Sequence, residues 1–144
     1  INLYMWESIL FSSLIKKELI GQTIGESTKS IFHQLGGMLE HKEFKVIITD
    51  LDLKPKIDIV NDLINKIDHK KMNDVVHKTL HYLHDIIDLI NKEIKEINND
   101  ITEHKKLWFH NFRHASYLVK IENLIKHNTI LDKRLDLLIK IINI

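Results

Sequence analysis

No cysteine occurs anywhere in the 144 residues. That excludes disulfides and any zinc–thiolate centre, and leaves stability to packing alone; it does not fix the compartment, since both reducing and oxidising surroundings tolerate it. Proline occurs once, at Pro55, and all four glycines fall between Gly21 and Gly37. From Lys56 to Ile144 neither breaker appears, and apolar residues spaced three and four apart fill the span, which predicts helices. Ala115 is the only alanine, arginine stands only at positions 113 and 134, and isoleucine, lysine and asparagine are abundant. Such usage is expected of an AT-rich genome: a large DNA virus, a protist or a low-GC bacterium. The net charge is only +1, so no global field steers the chain to nucleic acid or an anionic membrane. No run reaches the roughly 18 uninterrupted apolar residues of a membrane span; the nearest, Leu3 to Ile20, is interrupted by Glu7, Ser8, Ser12, Ser13, Lys16, Lys17 and Glu18. A soluble, intracellular protein is the expectation. Ile1 in place of methionine is expected of a fragment or a processed product.

What is present is ordinary for a globular chain: 44% apolar and 28% charged residues, enough for one domain with a sizeable core and too apolar for disorder. The pattern predicts an all-α, antiparallel helical bundle of about five to six helices, with residues 21–54 as a less regular, glycine-containing connector region. A first helix is expected from Leu3 to Ile20, ending at Gly21, with Gly21 to Gly25 as a flexible linker. Glu26 to Glu43 is helical but weakened or split by Gly36-Gly37. Phe44 to Leu51 has strand-like composition; with no partner strand to satisfy its backbone, an extended connector or irregular turn is expected. Pro55 suits the first turn of a helix, which continues through Ile57, Val60, Ile64 and Ile67 and breaks near Asp68-His69-Lys70.

The most informative segment is a heptad seam. Val76, Leu80, Leu83, Ile87, Ile90, Ile94, Ile97 and Ile101 alternate steps of four and three without exception, the pattern of a helix laid along another at a shallow angle. In its first half a second row (Met72, Val75, Tyr82, Ile86, Leu89) widens the apolar stripe, so this part should be central, with helices on two sides. Asn98-Asn99-Asp100 is the best breaker cluster, and Asp100 with Glu103 reads as a capping box. A turn there would make a hairpin of two arms, about 71–97 and 101–127; a single long central helix is the alternative. Thr129 as N-cap with Asp132 opens a last helix through Leu131, Leu135, Leu138 and Ile142.

Ten histidines are present, seven of them between His69 and His114. His77, His81, His84 and Asp88 sit at i, i+4, i+7 and i+11 and share one helical face, as do His110 and His114. Imidazoles one turn apart can chelate a divalent ion, and a row of them can gain charge as pH falls through about 6.5. By the helical wheel this face points outward. No Glu-x-x-His of the di-metal bundles is present. No Gly-x-Ser-x-Gly or P-loop occurs. Val46 to Asp52 (VIITDLD) resembles the first motif of haloacid-dehalogenase-type phosphotransferases, which implies Asp50 as nucleophile and Asp52 as acid/base. That family needs a parallel sheet the rest of the chain does not offer, and Lys54 stands where it has threonine or valine. Lys105, Lys106, Trp108, Phe109, His110, Phe112, Arg113 and His114 form a basic–aromatic cluster that could stack on bases, or plug one end of the core with its cations reaching outward.

The function these features favour is non-enzymatic: a helical protein–protein interaction or structural module that self-associates or binds a protein partner. Ile94, Ile97, Ile101 and Trp108 are the expected contact residues. The alternative is a histidine-rich protein holding a divalent metal on His77, His81, His84 and Asp88. A nucleic-acid-binding module on the 105–114 cluster ranks below both.

Overall fold

The computed structural model describes residues 17–68, 72–105 and 114–143. Five helices follow one another: α1 (Lys17–Leu39), α2 (Lys42–Asp50), α3 (Leu53–Lys66), α4 (Asp74–Lys105) and α5 (His114–Ile142). No strand occurs among the described residues, so the all-α expectation is met. None of these helices is long and apolar enough to cross a membrane.

The glycine-containing region is more regular than its composition suggests. Residues 1–16 lie outside the described residues, and with them most of the first predicted helix. Its predicted end at Gly21 is overturned: α1 runs unbroken through Gly21, Gly25, Gly36 and Gly37. Each glycine in a helix interior costs about 1 kcal/mol relative to alanine. Burial of Ile20, Ile24, Ile31, Leu35 and Met38 on one face of α1 offsets that. None of the glycines has a positive φ, so they are tolerated here as helical residues and are not needed as turns.

Phe44 to Leu51 is also corrected. Residues 42–50 form a regular helix, because Phe44 and Ile48, one turn apart, both face the core. The β-branched run is overridden by tertiary packing, and Thr49 donates its hydroxyl to the Lys45 carbonyl at 2.7 Å. Asp52 then takes a left-handed conformation (φ 54°) between α2 and α3, a geometry aspartate accepts better than most non-glycine residues. The Asp-x-Asp pair therefore sits at a helix–helix joint and not at the end of a strand, which removes the phosphotransferase resemblance. Pro55 falls in the first turn of α3 as expected, and Leu53, Ile57, Val60 and Ile64 are its buried stripe.

α4 is a single helix of 32 residues, about 48 Å long at 1.5 Å per residue. The turn expected at Asn98-Asn99-Asp100 is absent, because those side chains do other work. Asn98 donates to α1, Asp100 pairs with Lys120 of α5, and Thr102 bonds back to the Asn98 carbonyl. The capping box of Asp100 and Glu103 is overturned with it. α5 likewise runs straight through Thr129, whose hydroxyl bonds the Ile125 carbonyl within the helix at 3.2 Å; the predicted N-cap is a mid-helix residue.

α4 packs most extensively against α5 on one flank and α1 on the other, and α1 packs in turn against α3 and α2. Most of the heptad seam is used: Leu80, Leu83, Ile87, Ile90, Ile94 and Ile97 are completely buried, Ile101 nearly so, and Val76 is partly buried against the core. Of the second row, Met72 and Ile86 are buried and Leu89 packs against the core, whereas Val75 and Tyr82 are exposed.

Candidate functional site

The histidines of α4 come together in part. His77 and His81, one helical turn apart, bring their Nε2 atoms to 2.9 Å with the rings edge-on at 79°. Only one of two neutral rings can carry hydrogen on Nε2 in such a contact, so one donates and the other accepts. Burial lowers the His81 pKa below its ordinary value; His77 beside it adds to the effect, while Asp85 opposes it and His84 adds a little. Nδ1 of His81 is buried with no hydrogen-bond partner.

His84 departs from the expected outward face. It is 4% exposed, and its Nδ1 lies 3.8 Å from Oδ1 of the equally buried Asp85. The helical wheel registers only the helix's own apolar stripe, and His84 falls at heptad spacing with Asn91 and Asn98, which bond to α1. Asp88 is half-exposed and pairs with Lys92 at 3.1 Å. Among the described residues no group of three or more histidine, aspartate or glutamate side chains converges as a metal site. The four candidate ligands thus divide into a close pair, a buried histidine–aspartate couple, and a solvated ion pair. His110 lies outside the described residues.

Ile94, Ile97 and Ile101, the expected contact residues, are enclosed by the chain itself and offer no open surface. Trp108, and most of the basic–aromatic cluster around it, lies outside the described residues.

Polar residues flanking the seam make several of the side-chain bonds between helices. On the α1 side, Ser30 donates to Asn91 Oδ1 at 2.9 Å, and Asn98 Nδ2 lies 2.7 Å from both the backbone carbonyl and Oε1 of Gln34. A Cβ added at Gly37 would stand 3.5 Å from Oδ1 of Asn98, ordinary contact, so the glycine is convenient there without being required. On the α5 side, Lys120 pairs with Asp100, and Arg134 donates to the Tyr82 carbonyl at 2.7 Å while lying 5.8 Å from that ring's centroid. Burial raises the Glu93 pKa, Glu96 adds to it, and Lys120 and Asn123 oppose it. Asn128 of α5 donates to the Leu51 carbonyl at 3.2 Å and accepts from Lys56 at 3.1 Å, and Lys56 also pairs with Asp132 at 2.7 Å. These ties were not anticipated. Their only trace in the sequence is a polar residue inside or beside an apolar row, as Asn128 stands between Leu124 and Leu131.

An open groove of about 530 Å³ lies where the end of α1 meets α4, lined among others by His33, Gly36, His41, Asn98 and Thr102. It is mostly polar and presents no nucleophile beside a base. No family model, curated protein or solved structure matches the chain.

Proposed function

We propose that this chain is a non-enzymatic helical association module whose partner is a second copy of itself. The reading rests on the outer flank of α5. Leu118, Ile125 and Ile139 are exposed by 52%, 44% and 36% and fall at heptad spacing along one line of the helix. Asp132 is the fourth member of that line and is held by Lys56. α5 also exposes Val119, Leu137 and Ile142, more large apolar side chains than any other helix among the described residues. A helix with apolar residues on faces the described residues leave open favours a further neighbour, and heptad spacing favours a helix as that neighbour.

The same reading takes the five helices as a bundle. Pairing of Asp100 with Lys120 and of Tyr82 with Arg134 supports an antiparallel α4–α5 hairpin, whereas the bonds from Ser30 to Asn91 and from Gln34 to Asn98 support α1 running alongside α4 in the same direction. The expected contact through Ile94 and Ile97 gives way to the α5 flank, because those side chains are consumed inside.

Sedimentation equilibrium tests the proposal directly. The wild-type chain should sediment as a dimer at micromolar concentration, and the Leu118→Asp/Ile125→Asp variant as a folded monomer. A wild-type monomer throughout the accessible range, or a dimer indifferent to both substitutions, refutes it.

A further inference from the structure

We propose that His77 and His81 form a bidentate binding site for a tetragonal divalent metal ion, nickel or copper in preference to zinc. The spacing carries the argument. Metal–imidazole bonds are about 2.0–2.1 Å long. Two ligand nitrogens at right angles on such a metal stand about 2.9 Å apart, and at the tetrahedral angle about 3.3 Å. The two Nε2 atoms are separated by 2.9 Å. That separation, set in the metal-free pair by the hydrogen bond, equals the cis edge of a square-planar or octahedral ion, the geometry copper and nickel adopt with nitrogen and oxygen ligands.

The surroundings agree with this use. The pair sits on one helix, whose backbone fixes the relative position of the two Cβ atoms, so little ordering remains on binding. Only a neutral imidazole has a lone pair to give. In the metal-free pair one ring carries its hydrogen on Nε2. Metal entry requires hydrogen on Nδ1 of both rings, a tautomer change in one of them that releases no proton from two neutral rings, together with a small rotation about Cβ–Cγ; in His81 that nitrogen is buried without a hydrogen-bond partner, which offsets part of the binding energy. Asp88, one turn beyond His84 on the same strip of helix, is bound to Lys92 and is not counted as a ligand.

The test is calorimetric titration of tag-free protein with nickel, copper and zinc chlorides. One equivalent of nickel or copper should bind. His77→Gln and His81→Gln should each weaken it roughly tenfold or more, since each removes one arm of the chelate. A His33→Gln/His41→Gln variant, which removes two imidazoles at the far groove, should leave it unchanged. Copper outranks the other two ions on almost any nitrogen site, so the nickel-to-zinc comparison tests the geometry. Electron paramagnetic resonance of the copper-loaded wild type needs no variant, and nitrogen couplings from two imidazoles are expected. Absence of binding, zinc binding more tightly than nickel, couplings from fewer than two imidazoles, or affinity retained in the His77→Gln/His81→Gln double variant would each overturn the assignment.

Discussion

Ile97 offers the sharpest test of how the long helix is held. Its side chain is 0% exposed, in the part of α4 where Asn98 reaches α1 and Asp100 reaches α5. Truncation to alanine removes three carbon atoms from a closed site. Lost transfer free energy, at about 0.8 kcal/mol per methylene, amounts to about 2.5 kcal/mol. A cavity that does not collapse adds up to about 2 kcal/mol, so Ile97→Ala should lose about 2.5–4.5 kcal/mol, within the usual span for such changes. That is a large share of the roughly 5–15 kcal/mol by which a domain is stable. Urea denaturation followed by circular dichroism measures it, and repeating the titration at several protein concentrations separates folding from assembly. The loss should be independent of concentration, and Ile97→Asp should not fold, since an unpaired carboxylate cannot be accommodated there. Leu118→Ala, at a half-exposed site, should lose no more than about 1 kcal/mol. An Ile97→Ala protein that loses less than about 1 kcal/mol, or a folded Ile97→Asp, would show that the seam is not enclosed by its own chain.

Gly36→Ala should stabilise the protein by about 0.5–1 kcal/mol, because an added Cβ meets nothing within 4 Å and the helix gains propensity; thermal melts that fall instead would contradict an unbroken α1. Asn98→Ala should cost about 1–3 kcal/mol in the same denaturation assay, through the two contacts to Gln34 it removes, and an unchanged midpoint would place the side chain in solvent. Burial lowers the pKa of both His81 and His127 from 6.5. The unfolded chain therefore binds more protons between the lowered values and 6.5, so stability is complete above that pH and declines as pH falls through the folded values. Melting temperatures measured from pH 7.5 downward should drop over that window, and His127→Gln should make the drop shallower.

Much of the helical content could be read directly from spacing. The seam from Val76 to Ile101 and the stripe Ile57, Val60, Ile64 recur every three to four residues, and nothing in the tertiary structure contradicts them. The ends of helices were far less readable. Asn98-Asn99-Asp100 and Thr129 have the chemistry of breaks and caps, yet each uses its polar atoms within or between helices. The local chain alone does not reveal which partner such a group will find. Gly36-Gly37 failed to break α1 because buried neighbours outweighed a modest propensity penalty. Within the candidate site, the nearness of His77 and His81 follows from the four-residue spacing. The burial of His84 depends on what packs over that flank of α4, and no periodicity in α4 encodes that.

The ridge of α4 from Ile87 to Ile101 is built of one residue type, so sliding the helix by seven positions past α1 would bring isoleucine to the place of isoleucine and change the greasy contact very little. The asparagines break that degeneracy. Asn91 and Asn98 are themselves seven apart, but their partners Ser30 and Gln34 are only four apart, so a slipped alignment keeps at most one of the two bonds. Two amide groups thereby act as notches on an otherwise uniform rail, selecting a single alignment that the apolar surface by itself would leave open.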